Sequence, residues 1–117
     1  MLGSGWVSKG MWAGSIAPAV STALSAAGST IADATQLRAD VAMLGTVAAS
    51  QGVILPPITD PQHTVAIYNG GANAVKVYGT GVTINGIAGA TGVSIPTLKS
   101  ALFLAASGGS WVAVISA

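Results

Sequence analysis

Few residues in this chain have side chains able to do chemistry, and Asp60 with His63 is its closest acid–base pair. A carboxylate that orients an imidazole lets the ring act as a general base or a metal ligand. A hydrolytic site also needs an activated nucleophile, and a metal centre needs two or three more ligands. The chain has no Cys and no Glu, and its other acids are Asp33 and Asp40. The pair therefore reads as a turn in which Asp60 precedes Pro61 and His63 opens a strand. No catalytic, metal-ligating or cofactor-binding residue is assigned, and no cofactor is expected. Gly70-Gly71 and Gly79-Thr80-Gly81 lack the following Lys-Ser/Thr pair of a phosphate loop and read as turns. Tyr68, Tyr78 and Trp111 lie on alternating strand-like segments. They are read as an oligomer or ligand surface, with a sugar platform as the sharper version and core or subunit packing as the plainer one.

The composition points away from enzymes. Lys and Arg number four and Asp three, 6% of 117 residues, for a net charge of +1. An ordinary soluble domain carries about a quarter. Half the residues are hydrophobic, and the mean hydropathy is +0.70. A free monomer keeps a charged, mixed surface, so this one is expected to work against other protein, as a homo-oligomer. Lys9, Arg38, Lys76 and Lys99 are dispersed, and phosphate backbones are bound by clustered cations; nucleic-acid binding is not expected. No window supplies the ~20 uninterrupted apolar residues of a membrane span.

Two regions differ in pattern. Residues 1–34 are Gly, Ala and Ser around Trp6, Met11 and Trp12. Gly14, Ser15, Pro18 and Ser21 interrupt what would be the apolar stretch of a secretory signal, so the segment is read as a retained N-terminal arm. Large side chains in an arm without a core of its own anchor in a partner's pocket, and Trp6, Met11 and Trp12 are assigned that role. Pro18 followed by AVSTALSAA predicts one short helix. From Thr35 to residue 117 the period is two. Leu37, Ala39 and Val41 alternate with Gln36, Arg38 and Asp40, predicting a half-buried strand with Arg38 and Asp40 paired on its wet side. Further strands are predicted at 45–49, 53–55, 63–69, 74–78, 82–84, 93–95, 101–105 and 111–115. Asn69-Gly70-Gly71-Ala72-Asn73, Asn85-Gly86 and Ser107-Gly108-Gly109-Ser110 predict hairpins. The expected fold is all-β: a small antiparallel β-sandwich or jelly-roll-like barrel carrying an extended arm.

The run DATQLRADVAMLGTVAASQGVIL (33–55), continued by VAIYNGGANAVKVYGTGVTING (65–86) and closed by ALFLAASGGSWVAVI (101–115), resembles a small β-domain of tailed-bacteriophage virion proteins of the head-decoration and head-fibre kind. The shared elements are the ATQL strand, the TVAA and GVILP segments, the YNGGAN…VY unit, the ING turn and the aromatic closing strand. The likeness spans about two-thirds of the chain and omits the arm. It implies a non-enzymatic virion component, assembled in the host cytoplasm. Its partners would be copies of itself, in a trimer, and the major capsid protein or another virion protein. A neck, collar or tail component is the nearest alternative, and a carbohydrate-binding adhesin module the alternative from another class.

Overall fold

A computed structural model describes residues 20–58, 63–107 and 109–116, and within them every regular element is a strand. Eleven strands form two sheets: β1 Val20–Ser25, β2 Thr35–Gln36, β3 Val41–Thr46, β4 Gly52–Ile54, β5 Thr64–Asn69, β6 Val75–Tyr78, β7 Thr83–Ile84, β8 Ile87–Ala88, β9 Val93–Ile95, β10 Ser100–Ser107 and β11 Ser110–Ile115. The first sheet runs β1-β3-β5-β10-β11-β7-β8 and the second β2-β4-β6-β9. From β1 to β6 the chain changes sheet at every step. β1, β3 and β5 pair in parallel, as do β2, β4 and β6. This is winding, three solenoid-like coils stacked on one another. β9 and β10 then lie antiparallel on β6 and β5 and form a fourth, reversed rung.

The expected antiparallel sandwich or jelly roll is therefore corrected: both sheets are mixed, and the first three coils are joined by crossings rather than hairpins. The Asn69–Asn73 turn shows why. It connects β5 in one sheet to β6 in the other, so it is a corner and not a hairpin. Gly and Asn suit both, because each turn needs the same backbone freedom. What selects the corner is Asn69, fully buried, whose Nδ2 donates to the carbonyls of Asn73 (2.8 Å) and Ile95 (3.0 Å) while its Oδ1 accepts from the Gly71 N–H (3.0 Å). Asn85-Gly86 does make a hairpin, with φ of 51° and 79° and Ile84 opposite Ile87. β10 and β11 likewise pair antiparallel across 107–110.

The predicted helix is also corrected. Residues 20–25 are strand β1, parallel to β3 with Val20 opposite Val41 and Leu24 opposite Leu44. A helix this short has little stability alone, whereas the open edge of β3 offers ladder bonds and a slot for Leu24 against the core. A bulge at Ala23, φ 55°, breaks the β1 register. Sheet pairing is thus already present at Val20–Ser25, before Thr35, and Ala26 is already core. Pro18, where the helix was expected to start, lies outside the described residues.

The predicted alternation is visible as burial over 36–39, with Leu37 and Ala39 inside and Arg38 outside, although only Thr35–Gln36 of that stretch is strand. It fails at Val41, expected on the same inner face, because the chain bends at 39–40 and Val41 opens β3 half-buried, with its neighbour Ala42 in the core. The core fills the space between the sheets with Trp111, Phe103, Leu37, Leu44, Ile67, Ile84 and Ile95 over a floor of Val53, Val75 and Val77. None of the described residues forms a helix long and apolar enough to cross a membrane.

Candidate functional site

Asp60 and the anchors Trp6, Met11 and Trp12 lie outside the described residues. His63 is described, and its partner is Asp40: Nε2 to Oδ1 is 2.9 Å. The two residues immediately precede β5 and β3, which pair in parallel, so the winding brings them together although they stand 23 apart in sequence. The Asp40 carbonyl also accepts from the Ala66 N–H at 2.8 Å. The imidazole leans on the Trp111 ring, centroids 5.8 Å apart. The expected Arg38–Asp40 pair does not form, because the chain bends at 39–40 and Asp40 turns to the next coil. From the sequence His63 reads only as the opening of a strand, with Asp40 not named as its partner. Only the parallel register of β3 and β5 brings Asp40 to it.

A cavity of about 320 Å³ walled by Leu55, Pro56, Pro57, Ile58 and Val82 also has Trp111, the ring on which His63 leans, in its lining. Among the described residues its lining carries no ionisable group, and no three His, Asp or other ligand types group to hold a metal. On the other sheet a groove of about 420 Å³ is lined by residues including Gln51, Asn73, Lys76 and Ser94. Tyr78 borders it with the ring buried and the hydroxyl donating to the Ser29 carbonyl at 3.1 Å.

The three aromatics do not meet. Trp111 is core on β11, Tyr78 is buried in the second sheet, and Tyr68 is half-buried on β5. What the first sheet does present is an apolar row that no spacing in the sequence announces. Val20, Val41, Ala66, Leu102 and Val114 stand in register across β1, β3, β5, β10 and β11. They alternate with core residues such as Ala42, Ile67, Ala101 and Phe103 and so face outward. Val20 is 57% and Val114 60% exposed, and Met43, Leu102 and Val112 are exposed too. Met43 and Tyr68 flank the row on one side, Leu104 and Val112 on the other. None of these positions carries a charge.

Comparison with protein-family models, curated proteins and solved structures finds no match to this chain, so the likeness to virion β-domains rests on the segments quoted for it.

Proposed function

We propose that the chain is a structural protein of a tailed-phage virion: a capsid-decoration or short head-fibre subunit that is not an enzyme. It holds the head through Trp6, Met11 and Trp12 and self-associates, as a trimer, through its β-domain. The observation that carries this reading is the uncharged apolar row on the first sheet of a chain with almost no charge anywhere. Exposed apolar patches of this kind mark association surfaces, and contacts built on buried area suit a particle made of many copies. The quoted resemblance supports the virion setting. Cryo-electron microscopy of purified particles tests it: density of this fold at capsomer junctions is expected. Density on the tail axis would move the protein to the neck, collar or tail, and its absence from the particle would reject the virion role.

A carbohydrate-binding module is the second reading, favoured by the polar Gln51–Asn73–Lys76 groove. It expects a glycan-array signal that falls on Lys76→Ala and Asn73→Ala. A flat array removes it.

A further inference from the structure

We propose that Asn85-Gly86 is a site of spontaneous covalent modification: in the folded protein Asn85 deamidates to aspartate or isoaspartate, and the product loosens the β7–β8 hairpin from β11. β7 pairs with β11 only at Ser110 and Trp111. Two residues further along β11, the Asn85 side chain stands in for the missing strand. Its Nδ2 donates to the Ala113 carbonyl (3.1 Å) and its Oδ1 accepts from the Ala113 N–H (2.8 Å). The Asn85 N–H donates to the Trp111 carbonyl (2.9 Å). One residue thus latches the hairpin to the edge of β11.

The pairing of residues that suits a tight hairpin turn is also the reactive one, because glycine offers the least hindered backbone nitrogen. The Gly86 nitrogen bonds to Asn85 Cγ and the Cγ–Nδ2 bond breaks. Nδ2 leaves as ammonia, taking up the proton that Gly86 gives up. Water then opens the cyclic imide at either carbonyl, giving aspartate, or isoaspartate with the main chain routed through Cγ. Ring closure swings Cγ toward Gly86 and so draws on states in which the Ala113 bonds are open. Residues 85–88 are exposed, and β8 is the last strand of its sheet; exposed hydrogen bonds at such an edge open locally at little cost. The Gly86 N–H has no hydrogen-bond partner among the described residues.

Asn69-Gly70 is the same dipeptide in the opposite setting. Asn69 is fully buried with both ends of its amide bonded, and the Gly70 N–H is tied to the Leu44 carbonyl at 2.8 Å. Reaction there waits for the corner to unfold. At residue 85 neither product restores the latch. Aspartate has no N–H for the Ala113 carbonyl and sets a carboxylate against it. Isoaspartate adds a carbon to the main chain of the turn and breaks the Ile84–Ile87 register. Either adds a negative charge to a chain whose net charge is +1. The inference is independent of the virion assignment.

The full chain is aged in mildly alkaline buffer and followed by peptide mapping with mass spectrometry, with isoaspartate read by isoaspartyl-specific methylation. Deamidation is expected at Asn85, with Asn69 at least ~100-fold slower because it needs a larger opening. In concentrated urea the two sites should react at similar rates. Equal rates in the folded protein, faster reaction at Asn69 or no reaction at Asn85 overturns the inference. So does an unchanged preference in urea, which would trace the selectivity to neighbouring residues and not to the fold. The latch is read by amide exchange. Protection of the Thr83 N–H, which bonds to the Gly109 carbonyl, should fall roughly tenfold in the deamidated fraction, with Val65 and Ile67 unchanged. Asn85→Asp, unable to donate to Ala113, should reproduce that fall without ageing. Unchanged protection at Thr83 in both samples, or an equal loss at Val65 and Ile67, overturns the release of the hairpin.

Discussion

His63 Nε2 lies 2.9 Å from Asp40 Oδ1, joining the starts of two stacked coils. The pair is a fastener between β3 and β5, with the ring resting on Trp111. Asp40 is more than a third exposed, so the contact is screened by solvent and worth about 0–1 kcal/mol. Asp40→Asn should therefore cost well under 1 kcal/mol in urea unfolding. His63→Ala should cost somewhat more, because it also uncovers Trp111. The double variant should lose less than the sum, since both changes break one contact. Strict additivity would show that the two side chains act separately.

Asn69→Ala should be far more damaging. It leaves the Gly71 N–H and the Asn73 and Ile95 carbonyls without their side-chain partner in a buried corner. Unsatisfied buried groups cost about 1–3 kcal/mol each, so a loss of about 2–4 kcal/mol is expected by denaturant titration. Asn69→Leu should be no better, because the donors and acceptors it strands belong to the backbone. A loss below about 1 kcal/mol would mean that water replaces the amide freely.

The β1–β2 turn predicts an acid-sensitive segment. The Asp33 carboxylate accepts hydrogen bonds from the Thr30 N–H and hydroxyl and from the Ser29 N–H, which hold its pKa below the usual value. A depressed folded pKa means that the contribution is present above the unfolded pKa and is lost as pH falls through the folded one. Protection of the Ser29 and Thr30 amides, measured against the intrinsic exchange rate at each pH, should fall as the carboxylate is protonated below about pH 4, and Asp33→Asn should flatten that dependence. Gly28→Ala should disturb the same turn, for φ is +65° and a Cβ there would meet the Asp33 side chain.

Truncation separates arm from sheet. Removing residues 1–19 should leave a folded β-domain with a cooperative transition. Removing residues 1–34 takes β1 and Ala26 away, opens the β3 edge, and should lower stability by several kcal/mol and promote aggregation. Equal stability of the two truncations would show that β1 adds nothing to the sheet.

Association by this protein, with itself or with a particle, should be nearly indifferent to salt and sensitive to urea. Screening acts on exposed charges over about 8–10 Å, and the row carries none. Release by salt alone, followed by sedimentation, would place Lys9, Arg38, Lys76 or Lys99 at the contact.

Period-two burial, turn positions and most β-rich segments were legible in the residues. Leu37 and Ala39, Val65 and Ile67, and the Asn85-Gly86 hairpin follow from alternation and from backbone freedom. Connectivity was not. A strand paired in parallel one coil later has the same alternation as one paired in a hairpin, so Asn69–Asn73 gave the turn and not its destination. β1 was hidden because Ala and Leu favour helix in isolation, and only the β3 edge reverses that preference. The outer row was hidden because its five members are separated in the chain and become neighbours through register alone.

The winding also makes the body's height a quantity that changes in steps. Val20 pairs with Val41 and Thr35 with Val53, offsets of 21 and 18 residues. The next coil uses 25 and 24. Each coil therefore takes about twenty residues and adds one strand spacing of about 4.8 Å, touching chiefly the coil before and the coil after. Duplicating residues 41–63 would lengthen the molecule by that step and leave both ends as they are. A chain of this kind can be matched to the dimension of what it sits on by gaining or losing whole coils, without redesigning its core.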